Sequence, residues 1–469
     1  MIEENAKSLG ETLKEELAYG PVNAADRFTD EECTKAFDFA EGYMLFLDAA
    51  KTEREAVKYS VLRAIDRGYK RFEYGMEYKP GDKVYYVNRG KSVIFAHIGR
   101  RPFEDGVRIC AAHIDSPRLD LKPNPVFEEG GLAFFRTHYY GGIKKYQWPT
   151  IPLSLHGTVV TGNGCAVDIK IGEDDGDPVF YITDLLPHLD KDAATKTLAA
   201  GVTGESLTAV VGSLPIRDKS ASDRIKLAVL KYLNDKYGIK EEDFISAELT
   251  FVPADKARNV GFDCSLIGAY GHDDRVCAYP TLEAVLGLDD PEYTCLGVLT
   301  DKEEIGSVGN TGLNTNYLYD FLCELAASQN ANVRKMMANT TCLSSDVNAC
   351  FDPKYSSAYE KSNSALINCG AVLTKYTGSR GKAGTSDASA EFVGRIRKIF
   401  NDAGVVWQTA ELGKVDQGGG GTVAQYIAKL NIDVVDMGVP VLSMHAPYEV
   451  VSKLDLYSTY KAFDAYFRA

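Results

Sequence analysis

Five short stretches of the chain carry the residue types that metal-ion or acid–base chemistry needs. In AAHIDSPRLDLKP, His113 closes an apolar, strand-like run and can offer a ring nitrogen to a metal. Asp115 stands where it can accept the other ring N–H and fix the tautomer. In YGHDDRVCAYPTLEAVLGL, Asp273 and Asp274 stand where a loop enters a helix, and N-capping accounts for only one of them. In TDKEEIGSVGNTG, the adjacent Glu303 and Glu304 repel each other unless a cation stabilises both or one keeps its proton. At a strand-to-loop switch both can reach one site, one binding a metal and the other holding a water. TTCLSSDVNACFDPKY and DMGVPVLSMHAPYEVV place Asp346 and His445 after two more apolar runs. Singly, each stretch is explained as well by a structural histidine, a helix cap or a solvated acidic loop. Arriving together at five such ends, they point to one site at the carboxyl edge of a sheet.

Two glycine-rich stretches mimic phosphate loops. GSRGKAGTSD (378–387) lacks the GxxxxGK[ST] spacing. QGGGGTVAQYIA (417–428) opens a helix with free N–H groups that suit a substrate carboxylate or carbonyl, and it reads as substrate-facing.

The elements that must position these residues change character along the chain. From about 30 to 75 the apolar spacing is helical, and KSVIFAHIG (91–99) and VRICAAH (107–113) read as fully buried strands. Between about 120 and 250, strand-sized pieces such as LAFFRTHYYGG and LSLHGTVVTGNG alternate with Gly, Asn and Asp turn signals. One helix interrupts them, with Ile225, Val229, Leu233 and Tyr237 on one face and Gly238 as its stop. After 250, apolar strands and longer helices alternate to a closing helix at 454–467, and Pro280 predicts a helix that is kinked or starts late. This order predicts an α/β domain interrupted by a β-rich insertion.

Composition narrows the partners. The chain of 469 residues is 45% apolar and 25% charged, which excludes disorder for most of it. No apolar run approaches the roughly 18 residues of a membrane-spanning helix. With 52 basic against 66 acidic residues, net −14, and no dense Lys/Arg run, the surface repels phosphate backbones, so no nucleic-acid partner is expected. The acidic start lacks the basic and apolar regions of a secretory signal, so a cytoplasmic address is expected. Ten cysteines without CxxC spacing read as buried, reduced thiols. With only seven histidines, a metal site must lean on carboxylates.

In order and at suitable separations, AHIDSP, GHDDR, DKEEIGS, SSD and VPVLSMH resemble the motifs of the aspartyl aminopeptidase family of two-zinc metallopeptidases, from about residue 90 onward. The resemblance implies a doubly wound, phosphorylase/hydrolase-like catalytic domain of residues 1–120 and 251–469. It also implies an inserted β-rich dimerisation domain at 121–250. His113 and Asp346 would then hold one zinc, Glu304 and His445 the other, and Asp273 would bridge them; cobalt or manganese could replace zinc. Glu303 would be the general base for a metal-activated water that attacks the N-terminal peptide bond, with Asp115 supporting His113. The insertion would mediate self-association into a dimer-based dodecamer, and within ITDLLPHLDKD His188 would reach the neighbouring subunit's site. There it would act as an oxyanion donor or an additional ligand; a loop histidine packed behind core residues Leu185 and Leu186 is the plainer alternative. An acidic N-terminal residue needs a cation, for which Lys375, Arg380 and Lys382 are the clustered candidates. The sequence departs from the family in carrying Asp274 where Asn is more common. A glutamyl or deblocking aminopeptidase or a carboxypeptidase shares such a core, and a catalytically silent, metal-bearing peptide-binding scaffold is the reading from another class.

Overall fold

The computed structural model describes residues 7–192 and 195–469. Strands Ser92–His97, Arg108–His113 and Cys295–Thr300 are buried along their whole length. Both faces of their sheet are covered, which is why these runs of Val, Ile, Ala and Cys lack polar alternation. Their residues divide by parity between two cores. Val93, Phe95, Cys110, Ala112 and Leu299 face one, and Ile94, Ala96, Ile109, Ala111 and Val298 face the other. The first core is roofed by helices Asp30–Ala49, Glu53–Asp66, His272–Leu286, Ala390–Asp402 and Lys453–Arg468. The second lies under Tyr317–Ala327, Val333–Asn339 and Ala424–Ala428.

The nine strands of this sheet run, edge to edge, Lys70–Arg71, Lys83–Asn88, Ser92–His97, Cys295–Thr300, Arg108–His113, Thr341–Ser344, Asp433–Gly438, Ala371–Thr374 and Trp407–Thr409. Cys295–Thr300, Arg108–His113, Thr341–Ser344 and Asp433–Gly438 are mutually parallel, while both flanking neighbours are antiparallel to them. The fold is a mixed α/β one, and the carboxyl ends of its four parallel strands open on one edge. A five-stranded sheet lies beside that edge, ordered Arg258–Val260, Leu266–Ala269, Glu449–Ser452, Pro440–Leu442, Asn348–Ala349.

A third sheet is built wholly from strands between Arg118 and Pro253 and is antiparallel throughout. Ala247–Pro253 pairs with both Arg118–Glu129 and Pro152–Val160, so six strands close into a barrel, with Ala166–Ile171 added outside. Leu119, Phe135, Trp148, Leu155 and Phe251 fill it. Helix Arg224–Tyr237 packs on this barrel and stops at Gly238, which takes the left-handed φ of 71° that glycine tolerates.

Several expectations are refined. The helical stretch from 30 is two helices, the second restarted by Thr52, whose hydroxyl accepts from the Glu55 N–H. The Pro280 helix starts late: Asp273 and Asp274 have non-helical backbones, and the regular turns follow them. All ten cysteines are free thiols, but Cys165 and Cys264 are exposed, contrary to a wholly buried set. Among the described residues no helix is long and apolar enough to cross a membrane.

Candidate metal centre

His113 is the last residue of its strand. Its Nδ1 lies 2.9 Å from the Asp115 carbonyl oxygen and 3.3 Å from Asp115 Oδ1, so Nδ1 carries the proton and Nε2 faces the cleft. The tautomer is thus held by the Asp115 backbone more closely than by its carboxylate. The carboxylate instead accepts the backbone N–H groups of Glu303 (3.1 Å) and Glu304 (3.2 Å) and the Tyr140 hydroxyl (2.8 Å). Those bonds pin the one-turn helix Glu303–Ile305, which Lys302 enters at φ 67°.

Asp273 follows Gly271, whose φ of 79° and close approach to Arg275 Nη1 leave no room for a Cβ. Asp273 Oδ1 lies 3.1 Å from His113 Nε2 and its Oδ2 lies 3.2 Å from His445 Nε2, so one carboxylate joins two imidazoles. Asp346 Oδ1 is 3.8 Å and Glu303 Oε2 3.9 Å from His113 Nε2, and Glu304 Oε2 is 3.6 Å from His445 Nε2. His445 differs from the expectation of a strand end. Its strand stops at Leu442, and the histidine sits in the following turn at φ 64°. There Nδ1 donates to the Gly142 carbonyl at 2.7 Å, which turns Nε2 inward.

The result is two ligand sets, His113/Asp273/Asp346 and Asp273/Glu304/His445, with the ligand atoms of each within 4.8 Å of one another. His113 Nε2, Asp273 Oδ1 and Glu304 Oε1 are buried without a hydrogen-bond partner, the condition that ion coordination relieves. No Lys or Arg is among the described residues lining this 440 Å³ cleft, so its acids have only the two imidazoles beside them. Burial, then the charge of Asp346, pushes the Glu303 carboxyl up to about 8. Burial likewise raises Glu304 and Asp346. Imidazole nitrogens and carboxylate oxygens in this arrangement fit zinc.

Sequence reasoning missed four supports. Glu449 is buried and accepts the backbone N–H groups of both Asp273 (3.1 Å) and His445 (2.7 Å). Asp436 lines the cleft as the buried acid of the strand DVVDMG, whose other acid, Asp433, is exposed; a charge set between Val435 and Met437 was the signal for it. Tyr140 and Gly142 come from the barrel side and carried no signal. The Gly419–Gly421 loop lines the cleft, in keeping with a substrate-facing reading. Lys375 and Lys382 do not line it; both pair with Asp387, at 3.5 and 3.0 Å. His188 lies in an exposed turn and does not line its own chain's cleft. Leu185 and Leu186 beside it are about half exposed, at 51% and 48%, rather than core.

A carboxylate shared by two imidazoles, with a further glutamate alongside, is the donor set of a metal-dependent hydrolase. A family model described as aminopeptidase I zinc metalloprotease (M18) matches residues 46–467. A curated relative from Clostridium acetobutylicum, named "Probable M18 family aminopeptidase 1", is 46% identical over 452 residues, which is 95% of this chain and 97% of that one. The crystal structure of an M18 aminopeptidase from Thermotoga maritima superposes with a TM-score of 0.92 at 43% identity, covering 96% of this chain and 99% of that one. Aminopeptidase I from C. acetobutylicum superposes with 0.92 at 44% identity, covering 97% and 100%. A structure of the S. cerevisiae mApe1 dodecamer shares the fold at a TM-score of 0.76 and 19% identity, covering 92% and 96%. The chain belongs to the M18 family of zinc metalloproteases, the aspartyl aminopeptidase family. Its activity is that of an aminopeptidase, a hydrolase of peptide bonds.

Proposed function

We propose that the cleft binds two zinc ions per chain and removes the N-terminal residue of peptides with Glu303 as general base. The observation that carries this is Asp273, whose two oxygens each face a different imidazole while Glu303 stands beside His113. Zinc bound there supplies a Lewis acid for the scissile carbonyl and a water acidic enough to lose a proton near neutral pH. Glu303 would take that proton and hand it to the leaving amine, a role that its place beside the first ligand set suits. Asp115 holds the backbone of Glu303 and Glu304, so base and ligand keep a fixed spacing. Substituting Glu303→Gln is expected to leave zinc in place and to lower kcat by about 10²–10⁴-fold. Full turnover in that variant would overturn the assignment.

Three finer readings go with it. Residues 1–120 and 251–469 form the doubly wound catalytic domain and 121–250 the dimerisation domain, from which His188 reaches a neighbouring subunit's cleft in a dimer-based dodecamer of a cytoplasmic enzyme. The exposed Leu185, Leu186 and Leu189 around His188 suit a covered surface. Co-assembled Glu303→Gln and His188→Ala chains, each inactive alone, are expected to regain part of the activity, and a fully active monomer would remove the reading. An acidic N-terminal residue would be received by Arg380 and by Lys382, the latter exchanging Asp387 for the substrate carboxylate. They line a 260 Å³ cavity that shares Thr377, Leu412 and Gly419 with the cleft. Rates on aspartyl, leucyl and lysyl substrates test it, and a leucyl preference unchanged in the Arg380→Ala/Lys382→Ala variant would end it.

A further inference from the structure

Beyond the metal ligands, the cleft holds a second group of atoms with unfilled hydrogen-bonding capacity. Five carboxylates line it, those of Asp273, Glu303, Glu304, Asp346 and Asp436. Asp273, Glu304 and Asp346 belong to the ligand sets and Glu303 stands against His113, which leaves Asp436 without a role. Asp436 is 3% exposed, and its Oδ1 accepts from the Ser344 hydroxyl at 3.0 Å and the Thr422 hydroxyl at 2.7 Å. Those two bonds fix the orientation of the carboxylate, yet Oδ2 has no partner. Asn348, buried and also lining the cleft, repeats the pattern: Nδ2 donates to Thr374 Oγ1 at 3.1 Å, and Oδ1 is unpartnered. Thr374 stands opposite Asp436 in the adjacent strand, and Asp436, Asn348 and Thr374 all line the same cleft. Ser344 and Asn348 flank the metal ligand Asp346 in sequence, which sets this cluster next to the first ligand set.

Two buried acceptors, one of them a carboxylate, are costly without a donor, and a cationic donor relieves both costs at once. No Lys or Arg lines the cleft among the described residues, so this donor comes with the ligand. An aminopeptidase substrate carries one such group in every case: the α-ammonium of its free N-terminus. We infer that Asp436 and Asn348 form the subsite that receives the substrate's α-ammonium. An N-acylated peptide has no charge to offer there and leaves the Asp436 carboxylate buried and unpaired, so the subsite selects chain ends over internal or blocked residues. This rests on the reading of the cleft as the peptide site.

The test compares the zinc-loaded wild-type enzyme with Asp436→Asn and Asn348→Ala. Measurements are kcat and KM on the best of the aspartyl, leucyl and lysyl anilides, and inhibition by the corresponding amino-acid amide and its desamino analogue. Wild type is expected to bind the amide about tenfold or more tighter than the desamino analogue. Asp436→Asn is expected to lose most of that ratio and to raise KM about tenfold, with zinc content kept and kcat changed less. Asn348→Ala should lose part of the ratio. An unchanged ratio in a zinc-loaded Asp436→Asn enzyme overturns the inference. If that variant does not fold, an unchanged ratio in Asn348→Ala overturns it instead, and so does a wild-type enzyme with no amine preference. Inhibitor binding needs no turnover, so loss of the Glu303 assignment would leave this ratio readable.

Discussion

Two buried clusters of histidine and carboxylate in this molecule use the same residue types to opposite ends. Where the barrel meets the helix Glu53–Asp66, His156 lies 2.8 Å from Glu55 and 3.0 Å from Glu173, and Lys51 Nζ lies 2.9 Å from Glu173. Ser154 donates to Glu173, and Lys51 donates to the carbonyls of Pro253 and Asp255. No buried side-chain nitrogen or oxygen of this cluster lacks a partner. In the cleft, His113 is as buried as His156, yet its Nε2, one oxygen of Asp273 and one of Glu304 are unpartnered. Burial and residue type therefore do not distinguish a functional site from a structural clamp. Between these two clusters, unfilled coordinating capacity does. The clamp contains its own cation in Lys51, whereas the cleft must import one.

The largest effect that would break this comparison is at the shared carboxylate. Asp273→Asn is expected to drop zinc from two per chain to one or none and to cost about 10³-fold or more in kcat/KM, whereas His156→Gln should keep full zinc. Metal analysis of both variants decides it, and an Asp273→Asn chain that holds two ions would erase the distinction. Next in size is the clamp itself. Lys51→Met takes away one of three partners of Glu173 and leaves His156 and Ser154, so urea unfolding should show a loss of about 1.5–3 kcal/mol with zinc per folded chain unchanged. Wild-type stability in that variant would mean that the clamp's charges are not coupled to folding.

The smallest effect is a pH dependence. Burial works against ionised Glu173, but His156, Lys51 and Ser154 hold its carboxyl at about 2, below the ordinary 4.5. A lowered folded-state value contributes stability that is present above pH 4.5 and is lost as pH falls from there toward 2. Because Glu173 also holds the His156 imidazole above its ordinary 6.5, the stability advantage of wild type over Glu173→Gln should be constant only from about pH 6 to 5 and shrink below 4.5. An advantage that grew on acidification below 4.5 would contradict this.

How much of this was legible in the sequence depends on how locally each residue is placed. His113, Glu303, Glu304 and Asp346 follow apolar runs that are parallel strands, and strand direction alone brings such ends to one edge. Asp273 was legible because a doubled acid exceeds what capping needs. The turn that carries His445 was not, since a positive φ at a histidine leaves no mark in composition. Glu449, Tyr140 and Gly142 hold the site from other sheets, and nothing in their local stretches reports which backbone they meet. Barrel closure rests on Ala247–Pro253 pairing with a strand on either side, a contact across long sequence separation. Lys375 and Lys382 looked free, although Asp387 in the same stretch takes both.

The Gly142 carbonyl that accepts from His445 has a consequence for how the molecule opens. The candidate ligands come from the nine-stranded sheet, from the entry of the helix His272–Leu286 and from a turn of the five-stranded sheet, and the barrel side holds that turn in place. Any fluctuation that parts these layers removes a ligand, so ion binding adds its free energy to the cost of that fluctuation and to no other. Amide hydrogens in Arg108–His113 and Thr341–Ser344 then exchange more slowly as free zinc rises, while those of the outer barrel strand Ala166–Ile171 keep their own rate. Metal availability is thereby written into the breathing of one part of the chain and not the rest.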